Sequence, residues 1–463
     1  MTDLSRASAA ETARLVAEGD LTARIVLDEA LDRIAARDPG LNAFSVVLAE
    51  AARAEATSRD QQRDGRGPLH GVPVAVKEEL DVAGAVTTFG GEANSTPAAA
   101  DGEVVRRLRA AGAVIVGKTT MPEFGAFPYT ESASRGLTRN PWDPTRTPGG
   151  SSGGTAAAVA GGMVPVGIGG DGGGSIRIPS ACCGLFGLKP QRGRVTTAPH
   201  PHLWWALGTV GPLSRTVLDS ALVYDVIRGN VPTDRFVAGG SGSFVEAAQR
   251  PPGRLRVGWS VKPVTLGIKP DPLHVRAVED TARLLSDLGH DVREIDPHYP
   301  DPTAAFVPQF FAGIRTEADA VEHFDRLERR TRETYRLGSW VTPRVTEWAI
   351  RASEKIGSKA NRVFQDVDVL LTPTMAHRPP RVGVLDGRGT VASSLLAMPA
   401  IAYVALWNVA GNPAASVPCG LAADGLPVGV QLVGRTDDEA TLLSLSAQLE
   451  GARPWPVTVD EVR

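Results

Sequence analysis

The sequence predicts an α/β fold with a mixed sheet, built as one large domain, and three observations predict it. The first is a strand, helix, strand series at close spacing. Val72, Val74, Ala75 and Val76 form a short β-rich run, Val104, Val105 and Leu108 mark a helix that Gly112 ends, and Ala113 to Val116 form a second buried run. The second observation is the return of short apolar runs at residues 255–259, 367–371 and 426–434, with an amphipathic helical pattern at 273–288. The third is the lack of any repeat period or low-complexity linker across 463 residues.

The first forty residues read as helices. Ser8 and Glu11 make a capping box, and Gly19 suits the C′ position of that helix. Thr22 caps the next, whose Leu27, Ala30, Leu31 and Ile34 recur at i, i+3, i+4 and i+7. Asp101 is placed to cap the helix that carries Val104. Residues 140–190 are a glycine-rich centre. Thr216 opens an apolar helix, followed by a less ordered stretch to about residue 252, and residues 303–360 read as helical and charged. The expected domain spans residues 1–463, with N-terminal helices at 8–37, a catalytic core at about 70–220 and a variable helical region at about 300–360.

The net charge is −3, and lysines and arginines are scattered. No basic stripe exists to neutralise phosphates, so nucleic-acid binding is not expected. Cys182, Cys183 and Cys419 lack CxxC spacing, which speaks against a disulfide framework or a zinc site and for core thiols in a reducing compartment. The N-terminus has no apolar signal region, and the uncharged stretch 147–170 is too rich in glycine, with Pro148 and Pro165, to span a membrane. A cytoplasmic protein with no membrane partner is the expectation.

Two motifs mislead. Residues 112–119 match the phosphate-loop pattern GxxxxGK[ST], but their middle is Ala-Val-Ile-Val, a strand whose N–H groups go to a ladder and not to a phosphate. Residues 149–153 match the GxSxG nucleophile elbow, but residues 139–148, with Pro141, Pro144 and Pro148, cannot be the central strand an elbow requires. The stronger signal is the second glycine cluster. Gly172, Gly173 and Gly174 can bring successive N–H groups to one point beside the Ser175 hydroxyl, as an oxyanion hole requires.

Gly149-Gly-Ser-Ser-Gly-Gly-Thr-Ala-Ala-Ala-Val-Ala-Gly-Gly162 and Gly170-Asp-Gly-Gly-Gly-Ser-Ile-Arg-Ile-Pro-Ser-Ala-Cys-Cys-Gly-Leu-Phe-Gly-Leu-Lys-Pro190 closely resemble the amidase signature family. Gly71-Val-Pro-Val-Ala-Val-Lys77 is similar to the family's lysine strand. Residues 117–124, 138–143, 210–216, 368–374 and 411–420 also resemble family segments, in order along most of the chain. The resemblance implies one α/β/α domain around a large, twisted, mixed sheet flanked by helices. It implies two-step acyl transfer to water at a Ser-cisSer-Lys triad: Ser175 as nucleophile, Ser151 after a cis peptide bond as proton relay, and Lys77 as base. It implies no metal and no organic cofactor, a small-molecule substrate, and leaves room for a homodimer.

The chemistry stands on its own terms. A serine hydroxyl is a weak nucleophile without an adjacent base, and a lysine serves as base only when neutral, so it must be desolvated. Asp171 and Arg177, flanking the nucleophile, read as braces of the loop. The chain departs from the family's usual pattern twice. Gly170 stands where a threonine is common, and Glu78 and Glu79 follow the lysine in place of Asp-Asn. A carboxylate facing Lys77 would weaken it as a base, so both are expected to point elsewhere.

The alternative reading is the A subunit of a glutamyl-tRNA amidotransferase, which shares the fold and triad. Those proteins usually carry glutamine after the arginine, where this chain has Ile178. For specificity, Trp204 and Trp205 lie in a proline-flanked stretch between the nucleophile loop and Val210, either as core or as a wall of the substrate pocket. With no acidic side chain in that stretch, a neutral, apolar or aryl amide, ester or carbamate (urethane) is the expected substrate.

Overall fold

The computed structural model describes residues 4–62, 64–240 and 242–461. Its centre is one mixed sheet of eleven strands. In spatial order these are Phe44–Val47, Val114–Thr119, Pro73–Lys77, Val166–Asp171, Thr209–Ser214, Phe186–Lys189, Ala414–Leu421, Pro427–Val433, Val369–Pro373, Arg256–Trp259 and Asp291–Glu294. Helices cover the sheet, so its central strands are buried along their whole length and read as continuous apolar runs. The expected single domain with a mixed sheet flanked by helices is what the chain forms.

Local chemistry explains most element ends. Ser8 Oγ accepts from the Glu11 N–H at 3.0 Å, and Gly19 closes that helix at φ 84°. Thr22 and Thr216 cap the helices Ala23–Leu41 and Val217–Ile227. Asp101 does not act as a cap. The helix Glu103–Ala110 starts after Gly102, while the Asp101 carboxylate accepts from the Ala83 N–H at 2.8 Å and pairs with Arg109 at 3.1 Å. The stretch read as less ordered contains a short helix, Phe244–Gln249, capped by Ser243. The phosphate-loop look-alike is the buried strand Val114–Thr119, and Lys118 Nζ donates to the Val86 carbonyl at 3.0 Å and to Thr87 Oγ1 at 2.9 Å. Among the described residues no helix is long and apolar enough to cross a membrane.

Two features of the sheet place the site. The strands Pro73–Lys77 and Val166–Asp171 are parallel neighbours, with Val76 opposite Ile168, so their carboxyl ends open on the same edge. The glycine and alanine run then forms the helix Gly153–Ala160, buried on every side. Only small residues fit there: a Cβ on Gly154 would sit 2.4 Å from Thr120 Oγ1 and 2.5 Å from the Thr120 nitrogen. That close packing presses the loop bearing Ser151 against the strand ends.

Candidate active site

Lys77 is the last residue of its strand, and its Nζ donates to Ser151 Oγ at 2.8 Å. The Gly150–Ser151 peptide bond is cis. Ser175 follows the strand Val166–Asp171 across the glycine cluster, and its carbonyl accepts from the Ser152 N–H at 3.3 Å, joining the two serine loops. Ser152 Oγ also bonds both polar atoms of the Gly170 backbone, at 3.2 and 3.3 Å. Exposure falls in a graded order: 8% for Ser175, 2% for Ser151 and 1% for Lys77. The serine nearest solvent is thus the one expected to meet substrate, and the amine lies deepest.

Asp171 and Arg177, both fully buried, fix the loop that carries Ser175 from beneath. Arg177 Nε and Nη2 each donate to the Asp171 carboxylate at 3.0 Å, and its other protons reach Gln431 Oε1 at 2.8 Å, Asn408 Oδ1 at 2.6 Å and the Val404 carbonyl at 3.1 Å. Burial alone would raise the Asp171 carboxyl, but the Arg177 guanidinium and the Asn408 amide outweigh it and hold it far below the usual carboxylate range. The Asp171 oxygens also accept from the N–H groups of Gly174 at 2.7 Å and Ile176 at 3.2 Å. Asn408 and Gln431 carry no local signal in the sequence, being isolated amides far along the chain from the loop they brace.

This geometry corrects one expectation. The Gly174 N–H donates to Asp171 at 2.7 Å and so is not available for the oxyanion role expected of it. Gly174 has a different duty. Its φ is +119°, and a Cβ would meet Val404 Cγ2 at 2.5 Å, so the turn into Ser175 admits only glycine. Aromatic rings back the other two glycines. The Trp204 ring lies 2.7 Å from where a Gly172 Cβ would stand, and Phe306 lies 3.1 Å from that of Gly173.

The two tryptophans separate. Trp204, 6% exposed, packs in a small core with Phe124, Leu207 and Ile314 and meets the Phe310 ring edge-on at 5.2 Å. Trp205 stacks on His202 at 4.0 Å instead. A cavity of about 610 Å³ is walled by Phe89, Leu203, His200, His202, Glu79 and Glu317. A larger cavity of about 1010 Å³ borders the edge strand Asp291–Glu294 and holds none of these residues; the smaller is the substrate-site candidate because Glu79 joins it to Lys77.

The expectation for the two glutamates is half corrected. Glu78 turns away, accepting from Thr88 Oγ1 and lying 3.4 Å from Arg135. Glu79 faces Lys77, with Oε2 3.1 Å from Nζ. Glu317, from the helix Thr303–Ala320, joins them. Loss of hydration and the nearby Glu79 charge push its carboxyl well above the ordinary range, opposed by Lys77 and the Trp204 indole. Nothing near Lys77 in sequence announces Glu317. Among the described residues no group of three or more His, Cys, Asp or Glu side chains is set to hold a metal ion.

The profile of the Amidase family matches residues 25–443. "Putative amidase AmiB2" of Mycobacterium tuberculosis is 50% identical over 459 residues, with 98% of each chain covered. The A subunit of the glutamyl-tRNA(Gln) amidotransferase of Roseiflexus castenholzii is 35% identical over 495 residues, covering 100% of this chain and 99% of its own. Among solved structures, 6-aminohexanoate cyclic dimer hydrolase superposes with a TM-score of 0.91 at 32% identity, covering 98% of both chains. With the buried Lys77–Ser151 contact and the glycine-lined serine in place, these matches make the chain a member of the amidase signature family, a hydrolase of amides.

Proposed function

We propose that the chain hydrolyses a small apolar or aryl amide, ester or carbamate through an acyl-enzyme on Ser175. The observation that carries this reading is the buried 2.8 Å contact between Lys77 Nζ and Ser151 Oγ, in a loop that the Ser152 N–H ties to the Ser175 carbonyl. Neutral Lys77 takes the proton of Ser151, which takes that of Ser175 as its oxygen attacks the carbonyl carbon. The N–H groups of Gly172 and Gly173 stabilise the oxyanion. The proton returns along the same path to the leaving amine or alcohol, and water then repeats the attack to release the acid.

The apolar part of the wall supports an apolar or aryl substrate. Phe89 and Leu203 line the cavity, and Trp204 and Phe306 back the oxyanion glycines. Loss of hydration and the neighbouring Glu79 charge disfavour the ionised form of Glu317, which weakens it as a partner for a cationic substrate. The position where the amidotransferase relatives usually carry glutamine holds Ile178, 1% exposed, packed beside Gly174.

An alkyl fluorophosphonate tests the nucleophile without knowledge of the natural substrate. Mass spectrometry of the treated chain should place a single adduct on Ser175, and the purified chain alone should hydrolyse an aryl amide such as 4-nitroacetanilide. An adduct on another residue would remove Ser175 from its role. Hydrolysis that required tRNA and further protein chains would favour the amidotransferase reading.

Specificity gives a second expectation. Trp204→Ala should lower kcat/KM for 4-nitroacetanilide more than for acetamide, by about 1–3 kcal/mol of transition-state binding. Trp205→Ala, whose ring is engaged by His202, should separate the two substrates less. Equal losses on both substrates together with a fall in Tm would make Trp204 core alone.

A further inference from the structure

We propose that Glu79 is the positioning residue of this site: its carboxylate holds the Lys77 amine against Ser151, and Gly170 is the notch that makes room for it. The proposal rests on the acyl-transfer reading above and deepens it.

A lysine has a flexible four-carbon stem and a nearly spherical head, so one hydrogen bond does not fix its direction. Here the amine lies between two oxygens, Ser151 Oγ at 2.8 Å and Glu79 Oε2 at 3.1 Å, with the lysine and glutamate side chains 2% and 7% exposed. Glu79 stands two residues past the strand end, so its anchor is as rigid as the sheet.

Gly170 explains how the carboxylate gets there. This glycine lies in the neighbouring parallel strand and has no positive φ, so its backbone does not ask for glycine. Its side-chain space does. A Cβ at 170 would stand 2.2 Å from Glu79 Oε1, well inside van der Waals contact, and 3.1 Å from Leu203 Cδ2. A side chain at this position would meet Glu79 Oε1, so the carboxylate would have to shift from the place it holds beside Lys77. The two departures from the family pattern are therefore one feature: an acid after the lysine, and the missing side chain that admits it.

The arrangement has an electrostatic consequence. The ionisable groups around Lys77 are Glu79, from the loop that follows its strand, and Glu317, from the helix Thr303–Ala320. An anion beside an amine favours its charged form, which postpones the neutral base to higher pH. The pairing of Glu79 with the amine is therefore open to test through the pH profile of the reaction.

The test follows the rate at which an alkyl fluorophosphonate phosphonylates Ser175 in the full chain from pH 6 to 11. Wild type is compared with Glu79→Gln, Gly170→Ala, the double variant and Lys77→Met, each checked for folding by circular dichroism. In Glu79→Gln the midpoint of the alkaline rise should fall by about 1 pH unit or more, as expected for losing an opposite charge at this range, and the plateau rate should drop about tenfold as the amine loses its second anchor. Gly170→Ala should move the midpoint in the same direction, and the double variant no further than Glu79→Gln. A Glu79→Gln profile that keeps the wild-type midpoint overturns the proposal, even if its amplitude falls. So does a double-variant shift equal to the sum of the single shifts. An alkaline rise that persists in Lys77→Met overturns the lysine-base reading itself, and that variant tells the two failures apart.

Discussion

Ser175→Ala should bring amide turnover down to the uncatalysed background, and Lys77→Ala should lose about 10⁴-fold or more in kcat, roughly 5.5 kcal/mol of barrier. Both follow from one fact about the nucleophile. An unassisted serine hydroxyl scarcely attacks an amide, and in the proposed mechanism its proton leaves by Ser151 to Lys77, which are in contact at 2.8 Å. KM should change little, because neither group is asked to bind the ground state more tightly than the transition state. Ser151→Ala should be milder, about 10²–10³-fold, since a water in the space of the lost hydroxyl can carry the proton. Lys77→Ala also strands the buried Glu79 carboxylate, so its Tm should be read beside that of Lys77→Met, which keeps the stem. Steady-state kinetics on an aryl amide decide the matter. Wild-type kcat in Lys77→Ala would send the search to a histidine, yet burial pushes His202, on the cavity wall, down to about 4.

The parts of this site that are legible in the sequence are those whose chemistry is local. An apolar run ending in Lys77 announces a buried strand with an amine at its tip, and the glycine clusters announce close backbone approach around Ser151 and Ser175. What stays hidden depends on residues far apart in the chain. Arg177 finds Asn408 and Gln431 across 231 and 254 residues, and nothing about an amide in an apolar stretch says which arginine it will meet. Glu79 defies a sequence reading for the same reason. Whether a side chain after a strand turns toward Lys77 or away is decided by the space that Gly170 leaves on the next strand. The direction of the Gly174 amide likewise depends on Asp171 lying beneath it. The helix Thr390–Ile401 is hard to read because Val391 and Leu395 remain exposed, which blurs its apolar period. Asp101 has the right chemistry for a cap, but Ala83 and Arg109 claim its carboxylate.

Asp171→Ala should destabilise the chain by about 3–5 kcal/mol and impair catalysis, though Asp171 touches no reacting atom. The substitution leaves the Arg177 guanidinium fully buried with only neutral acceptors, Gln431, Asn408 and the Val404 carbonyl. It also strips the acceptor from the N–H groups of Gly174 and Ile176, which set the turn through Ser175. Asp171→Asn should retain the shape and lose the charge, with a smaller cost. In a chain of this length about 4 kcal/mol corresponds to a fall in Tm of about 4 °C, so urea unfolding followed by tryptophan fluorescence is the sharper measurement. Removing both charges in Asp171→Leu/Arg177→Met should recover much of the stability, since an apolar pair is often as stable as a buried ion pair, but not the activity, since the loop loses its anchor. The pH dependence has a definite sign. The folded state holds the Asp171 carboxyl below its unfolded range, so its contribution is fully present above about pH 4 and is lost only as the solution becomes more acidic. Wild type and Asp171→Ala should therefore differ by a constant amount from about pH 5 to 8 and converge in acid. An Asp171→Ala chain with wild-type stability and kcat would show that the pair does not hold the nucleophile loop, and a gap that widened in acid would contradict the assigned charge.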